Sequence, residues 1–108
     1  MDYVTIDEFR KLDIRIGKIV AVEDHPNADK LYVITVDFGN EKRKIVSGIK
    51  PWYKKEDLLN KKIVVIVNLQ PKNFRGIVSE GMLLAAEYEN NLALLVPDKD
   101  IKEGAKVY

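Results

Sequence analysis

A small all-β barrel of five strands in Greek-key order is the fold class this sequence predicts. Three observations lead there. The elements run strand, strand, strand, short helix, strand, strand. The first strand is long and interrupted by Gly17, as a strand that bends from one sheet face into another must be. The short helix falls between the third and fourth strands, whereas an SH3-like barrel carries its helical turn before the last one. Together these are the marks of an OB-fold, here with an N-terminal helical turn and an extra C-terminal hairpin strand.

Each element has a local cause. Thr5-Ile6-Asp7-Glu8 reads as a capping box, with Val4 and Phe9 placed to form a hydrophobic staple, so a short helix is expected as a lid over the core. Leu12, Ile14 and Ile16 alternate with Asp13 and Arg15, and the pattern resumes at Ile19 to Val22 after Gly17. Residues 23–29 form a loop by composition. Leu31 to Phe38 is a strand with Tyr32, Ile34, Val36 and Phe38 on one face, and Gly39-Asn40 turns the chain into Lys42–Ser47. Glu56 to Leu59 reads as a brief helix closed by Asn60 in the left-handed conformation. Ile63 to Val67 is a continuous β-branched run, hence a strand buried on both faces. Residues 68–81 read as a fourteen-residue loop, long enough to imply a task. Met82–Tyr88 and Leu92–Val96 form a last hairpin across Glu89-Asn90-Asn91. With no repeat, linker or low-complexity stretch, residues 1–108 are expected to make one domain.

Composition narrows the function. Of 108 residues, 46% are hydrophobic and 32% charged, which excludes a disordered chain. No apolar run approaches the ~20 residues of a membrane-spanning helix, and the N-terminus lacks a signal peptide's basic start and apolar centre. With no cysteine there is no disulfide, thiolate nucleophile or Cys-bound metal, which fits a reducing, cytoplasmic setting.

Catalysis is poorly supplied. The single histidine, His25, precedes a proline in a polar loop and reads as a surface or loop-capping residue. No nucleophile elbow is present. Gly76 to Gly81 has the glycine spacing of a Walker loop but lacks its Lys-Ser/Thr, and no dinucleotide fingerprint occurs. Neither a metal site nor a cofactor site is expected.

Binding is better supplied. The formal net charge is only +1, yet residues 42–75 hold ten basic side chains against two acidic ones, and the rest hold eight against fifteen. An OB-fold binds through strands 2 and 3 and the loops joining strands 1–2 and 4–5. On that scheme Lys30, Lys42, Arg43 and Lys44 lie on or beside the face, and the 4–5 loop adds Lys72 and Arg75. Such cations neutralise phosphates and release counterions. Asn27, Asn68 and Asn73 are available for base edges or ribose, or for turn hydrogen bonds. Phe74 offers a stacking surface, while Tyr32 reads as core. Trp52 and Tyr53 are expected to cover the barrel bottom, and Lys54, Lys55, Lys61 and Lys62 to be solvated.

His25-Pro-Asn-Ala-Asp-Lys-Leu31, Ser47-Gly48, Asn68-Leu69, Pro71, Arg75-Gly76 and Ser79-Glu-Gly-Met-Leu-Leu-Ala85 resemble the tRNA-binding OB domain family. That domain occurs at the C-terminus or as the β subunit of methionyl-tRNA synthetases, and as a free-standing dimeric tRNA-binding protein. The resemblance runs from the N-terminal helix through Gly104. It implies structure-selective tRNA binding, no catalysis, homodimerisation through outer parts of the barrel and a methionyl-tRNA synthetase as partner. It carries binding positions over to Asn27, Lys30, Asn68, Lys72, Arg75, Ser79, Glu80 and Met82. Gln70 and Asn73 depart from the denser basic loop of many relatives. A second reading, from a different class, is a protein-interaction or chaperone-like module whose RNA binding is incidental.

Overall fold

The computed structural model describes all 108 residues. Its elements are α1 (Ile6–Arg10), β1 (Ile14–Asp24), β2 (Tyr32–Asp37), β3 (Lys42–Ser47), α2 (Lys55–Leu58), β4 (Lys62–Ile66), β5 (Lys72–Phe74), β6 (Ile77–Ser79), β7 (Met82–Leu83), β8 (Ala85–Tyr88), β9 (Asn91–Leu94) and β10 (Lys106–Val107). The main sheet runs β3-β2-β1-β4-β7, all antiparallel, with β10 added to β1. β1 serves two main partners in turn, Ile14–Lys18 pairing with β4 and Lys18–Asp24 with β2, while Ile14 and Arg15 also pair with β10. This nearly closed five-stranded barrel is the expected OB-like architecture.

Gly17 is needed for a different reason from the one its sequence position suggests. The register shift in β1 lies between Ile19 and Ala21, not at the glycine. A Cβ on residue 17 would fall 2.3 Å from Val36 Cγ1 and 2.7 Å from a Phe38 ring carbon. Gly17 therefore lets β2 side chains close over β1, and the bulge three residues later supplies the bend.

The alternation of β1 and β4 creates two apolar clusters. Ile19, Ile34, Val36, Ile45, Leu58, Ile63 and Val65 are fully buried in the barrel interior, with Tyr32 and Phe38 beside them. Each such aliphatic side chain contributes about 1.5–3 kcal/mol relative to exposure. The opposite faces of the two strands, Ile14, Ile16, Val64 and Ile66, form a second cluster against Leu12, Leu84, Ala105 and Val107. That double burial is why β4 reads as an unbroken β-branched run. Asn60 closes α2 at φ 70°, as expected, and Leu58 plugs the interior.

Two expectations are corrected. The capping box of α1 is formed, Thr5 accepting from the Glu8 amide and Glu8 from the Thr5 amide, but no residue of the helix is buried. A helix of five residues presents too little apolar face to act as a lid, and Ile6 remains 59% exposed. The stretch 68–81 is also not a loop. It holds the β5–β6 hairpin, turned at Arg75 (φ 52°) and Gly76 (φ 99°). Two successive positive-φ residues make a turn whose twist suits a hairpin, and Asn73 Oδ1 accepts from the Gly76 amide across it.

Candidate nucleic-acid interface

The barrel closes beside this hairpin, largely through side chains. The Glu80 amide donates to the Lys44 carbonyl at 2.9 Å, the only backbone bond across this seam. The Val46 amide donates to Ser79 Oγ at 2.9 Å, and the Lys44 amide to Glu80 Oε1 at 3.3 Å. Ser79 is buried, and its hydroxyl donates to the Gly81 carbonyl at 2.9 Å. Arg43 donates to the Val67 and Glu80 carbonyls and pairs with Glu41. Ser79, Glu80 and Arg43, each placed on the face by sequence reasoning, are thus engaged in closing the barrel.

The loop between β1 and β2 is tied to the same hairpin. His25 is buried, and the Asn27 amide donates to its Nδ1 at 2.9 Å. A backbone N–H can only donate, so the ring proton sits on Nε2, which then donates to the Phe74 carbonyl at 2.7 Å. Arg75 Nη1 donates to the Asn27 carbonyl at 3.0 Å, and Asn27 Nδ2 returns a longer bond of 3.4 Å to the Arg75 carbonyl. Asn68 is used differently. Its Oδ1 accepts from the Asp13 amide and its Nδ2 donates to the Lys11 carbonyl, both at 2.7 Å, which anchors the start of β1. Asn27, Asn68 and Arg75 are therefore already engaged with the backbone.

Four lysines of the rim are uncommitted. Lys30, Lys42, Lys44 and Lys72 are exposed, and none forms an ion pair with a carboxylate. Lys42 and Lys44 point out from β3, alternating with the inward Arg43 and Ile45. Lys72 lies on β5 with Nζ 5.1 Å from the centre of the Phe74 ring. Lys30 belongs to the loop that His25 pins, and Met82, 47% exposed, stands on β7 opposite Ile66. The rim thus divides into residues that hold its shape and lysines that carry its charge.

Other basic residues are neutralised internally. Lys50 and Lys55 both grip Asp24 at 3.0 Å, and they hold its carboxyl below the usual carboxylate range, Lys50 contributing most. Lys62 donates to Asp100 at 2.7 Å and lies 3.4 Å from Glu103; the hydrogen bond to Asp100 raises its pKa. Lys55 and Lys62 are thus paired rather than simply solvated, because the acidic segments 23–24 and 98–103 fold back onto them. Tyr32 Oη donates to the Tyr53 carbonyl, and Tyr53 packs against the core, whereas Trp52 stays exposed with its Nε1 donating to the Asn90 carbonyl. No cluster of three or more His, Cys, Asp or Glu side chains is arranged to hold a metal ion. No helix is long and apolar enough to cross a membrane.

Sequence reasoning assigned His25 a loop-capping or surface role and did not see its link to the hairpin. The signal available was Arg75-Gly76 between Lys72-Asn73-Phe74 and Ile77-Val78-Ser79, two short strand-like runs about a two-residue turn.

Known proteins share this architecture. A family model described as a putative tRNA binding domain matches residues 14–106. The chain is 59% identical over 107 residues to methionine–tRNA ligase of Thermococcus onnurineus, covering 99% of this chain and 15% of the ligase. The corresponding ligase of Methanocaldococcus jannaschii is 53% identical over 108 residues, 99% of this chain and 17% of the ligase. The chain therefore spans a small fraction of the length of these relatives. Among solved structures, a MetRS-related protein from Pyrococcus horikoshii superposes with a TM-score of 0.93 at 38% identity, covering all of both chains. The chaperone CsaA of Bacillus anthracis superposes with a TM-score of 0.92 at 29% identity, covering 99% of this chain and all of that one. Given the matching family model and these identities, the chain belongs to the tRNA-binding domain family and is related over almost all of its length to a part of methionine–tRNA ligases.

Proposed function

We propose that this chain is a non-catalytic tRNA-binding module that recognises tRNA by phosphate and shape contacts. It acts in trans with, or as a subunit of, an aminoacyl-tRNA synthetase of the methionyl type. The observation that carries this reading is the rim, where Lys30, Lys42, Lys44 and Lys72 stand without carboxylate partners around a braced loop and hairpin. Duplex RNA hides its base edges in a deep groove, so a surface offering charge and fixed shape suits it. Kinship with methionine–tRNA ligases supports the substrate.

Homodimerisation belongs to the same proposal. Tyr3, Val4 and Ile6 are exposed at the N-terminus. A two-fold pair would double the phosphate contacts if both faces reach one tRNA. Gel-filtration mass, with and without bulk tRNA at low and high salt, tests both parts. A dimer that gains mass with tRNA at low salt and loses it at high salt is expected; no gain at low salt overturns tRNA binding.

The similarity to a protein named a chaperone favours a second reading, a protein-interaction module. Its mark would be recovery of a synthetase or an unfolded client in a pull-down, with no salt-sensitive retention of tRNA.

A further inference from the structure

We propose that His25 is a positioning residue of the tRNA face, pinning the β1–β2 loop to the β5–β6 hairpin so that Lys30 and Lys72 are presented as one rigid unit. The inference rests on the reading of the chain as a tRNA binder and assigns a role to a residue that touches no RNA in that reading.

The loop is first closed on itself. The His25 amide donates to the Leu31 carbonyl at 3.1 Å and the Leu31 amide to the Ala28 carbonyl at 3.2 Å. The ring then works in two directions. Nδ1 accepts from Asn27 within the loop, and Nε2 donates to Phe74 in the hairpin, forty-nine residues away. The Arg75–Asn27 pair repeats the tie two residues further along the loop and one further along the hairpin. Only a side chain with an acceptor and a donor on opposite edges of a stiff ring serves both contacts at once. Lys30 lies five residues beyond His25, and Lys72 lies on the strand whose Phe74 carbonyl receives the bond. Without the pin the loop and hairpin remain joined only through Arg75 and Asn27, whose side chains are exposed to water. The same lysines could still reach phosphates, but ordering them would fall to the binding step.

The test is retention of bulk tRNA over a range of salt by the wild type, His25→Asn, His25→Gln and Lys72→Ala. Asn can still accept from the Asn27 amide but is too short to reach Phe74; Gln extends about as far as Nε2 and restores a donor there. His25→Asn should weaken binding about fivefold, the worth of one hydrogen bond, with an unchanged salt slope because every cation remains. His25→Gln should recover most of the loss. Lys72→Ala should instead lower the slope, by about 0.7–0.9 for one phosphate contact. A folded His25→Asn protein with wild-type affinity overturns the inference while leaving tRNA binding intact, and equal losses in the Asn and Gln variants overturn it too. A wild type that retains no tRNA at low salt overturns the functional reading and this inference with it. If His25→Asn does not fold, amide exchange in the wild type decides. Slow exchange at Asn27 supports the pin, and exchange as fast as an open loop refutes it.

Discussion

Between β1 and its neighbours β2 and β4, cohesion comes from backbone ladders laid over an apolar interior; across the β3 seam and the rim it comes from side chains. β1 pairs with β2 and β4 along most of its length, and Ile19, Ile63 and Val65 lie fully buried beneath. At the seam a single backbone bond is supplemented by Ser79, Glu80 and Arg43, and at the rim His25, Asn27 and Arg75 do all the tying. A ladder depends on composition and tolerates many sequences, whereas a side-chain tie depends on one residue type at one place. The difference explains why the rim residues look like a motif and the sheet residues look like a pattern. It also separates two kinds of substitution, those that unfold the barrel and those that loosen its rim.

The sharpest break in that comparison comes from the interior. Ile63→Ala removes a fully buried side chain between the sheets and should cost about 2–5 kcal/mol, read as a lowered denaturant midpoint. Ser79→Ala should cost less, about 1–3 kcal/mol, because the Val46 amide loses its only partner in a buried setting. A cost for Ser79→Ala below about half a kcal/mol would mean that Ser79 is free to contact RNA and does not close the seam. The smallest effect belongs to the surface pair of Lys50 and Lys55 on Asp24. Their hydrogen bonds depress the Asp24 pKa in the folded state, so their contribution is present above the ordinary carboxylate pKa. It is lost as pH falls through the depressed folded value, below about pH 4. Replacing Asp24 by Asn should flatten acid unfolding in that window and lower stability at neutral pH by the same small amount. A large neutral-pH loss would show the pair to be more than a surface contact.

How much of this was legible beforehand follows the same division. The barrel, the doubly buried β4 and the capping box of α1 all rest on short-range patterns, and the structure holds them as read; the first strand bends as expected but at the bulge after Ile19 and not at Gly17. The hairpin at 72–79 was hidden because its two strands are three residues each, too short to display alternation, and its turn places an arginine at positive φ. The lid role of α1 failed because capping chemistry specifies that a helix starts, not what it covers. At the site, the charge asymmetry drew attention to Lys42, Lys44 and Lys72, which the structure leaves exposed and without ion pairs. Within the same basic block, Lys50, Lys55 and Lys62 are paired with carboxylates distant in sequence and Arg43 with its near neighbour Glu41. Arg75 was placed beside Lys72 as a cation that the 4–5 loop adds to the face. One Nη1–H of its guanidinium is also turned onto the Asn27 carbonyl, a contact forty-eight residues apart that spacing does not reveal.

The central claim is that uncommitted lysines supply the charge of the tRNA face while the tied residues supply its shape. The most direct measurement is the slope of log affinity for bulk tRNA against log salt, for the wild type and for a Lys30→Ala, Lys44→Ala, Lys72→Ala variant with an unchanged thermal midpoint. If three phosphate contacts are lost, the slope should fall by about two. A variant that keeps the wild-type slope would contradict the account and place the tRNA elsewhere on the barrel.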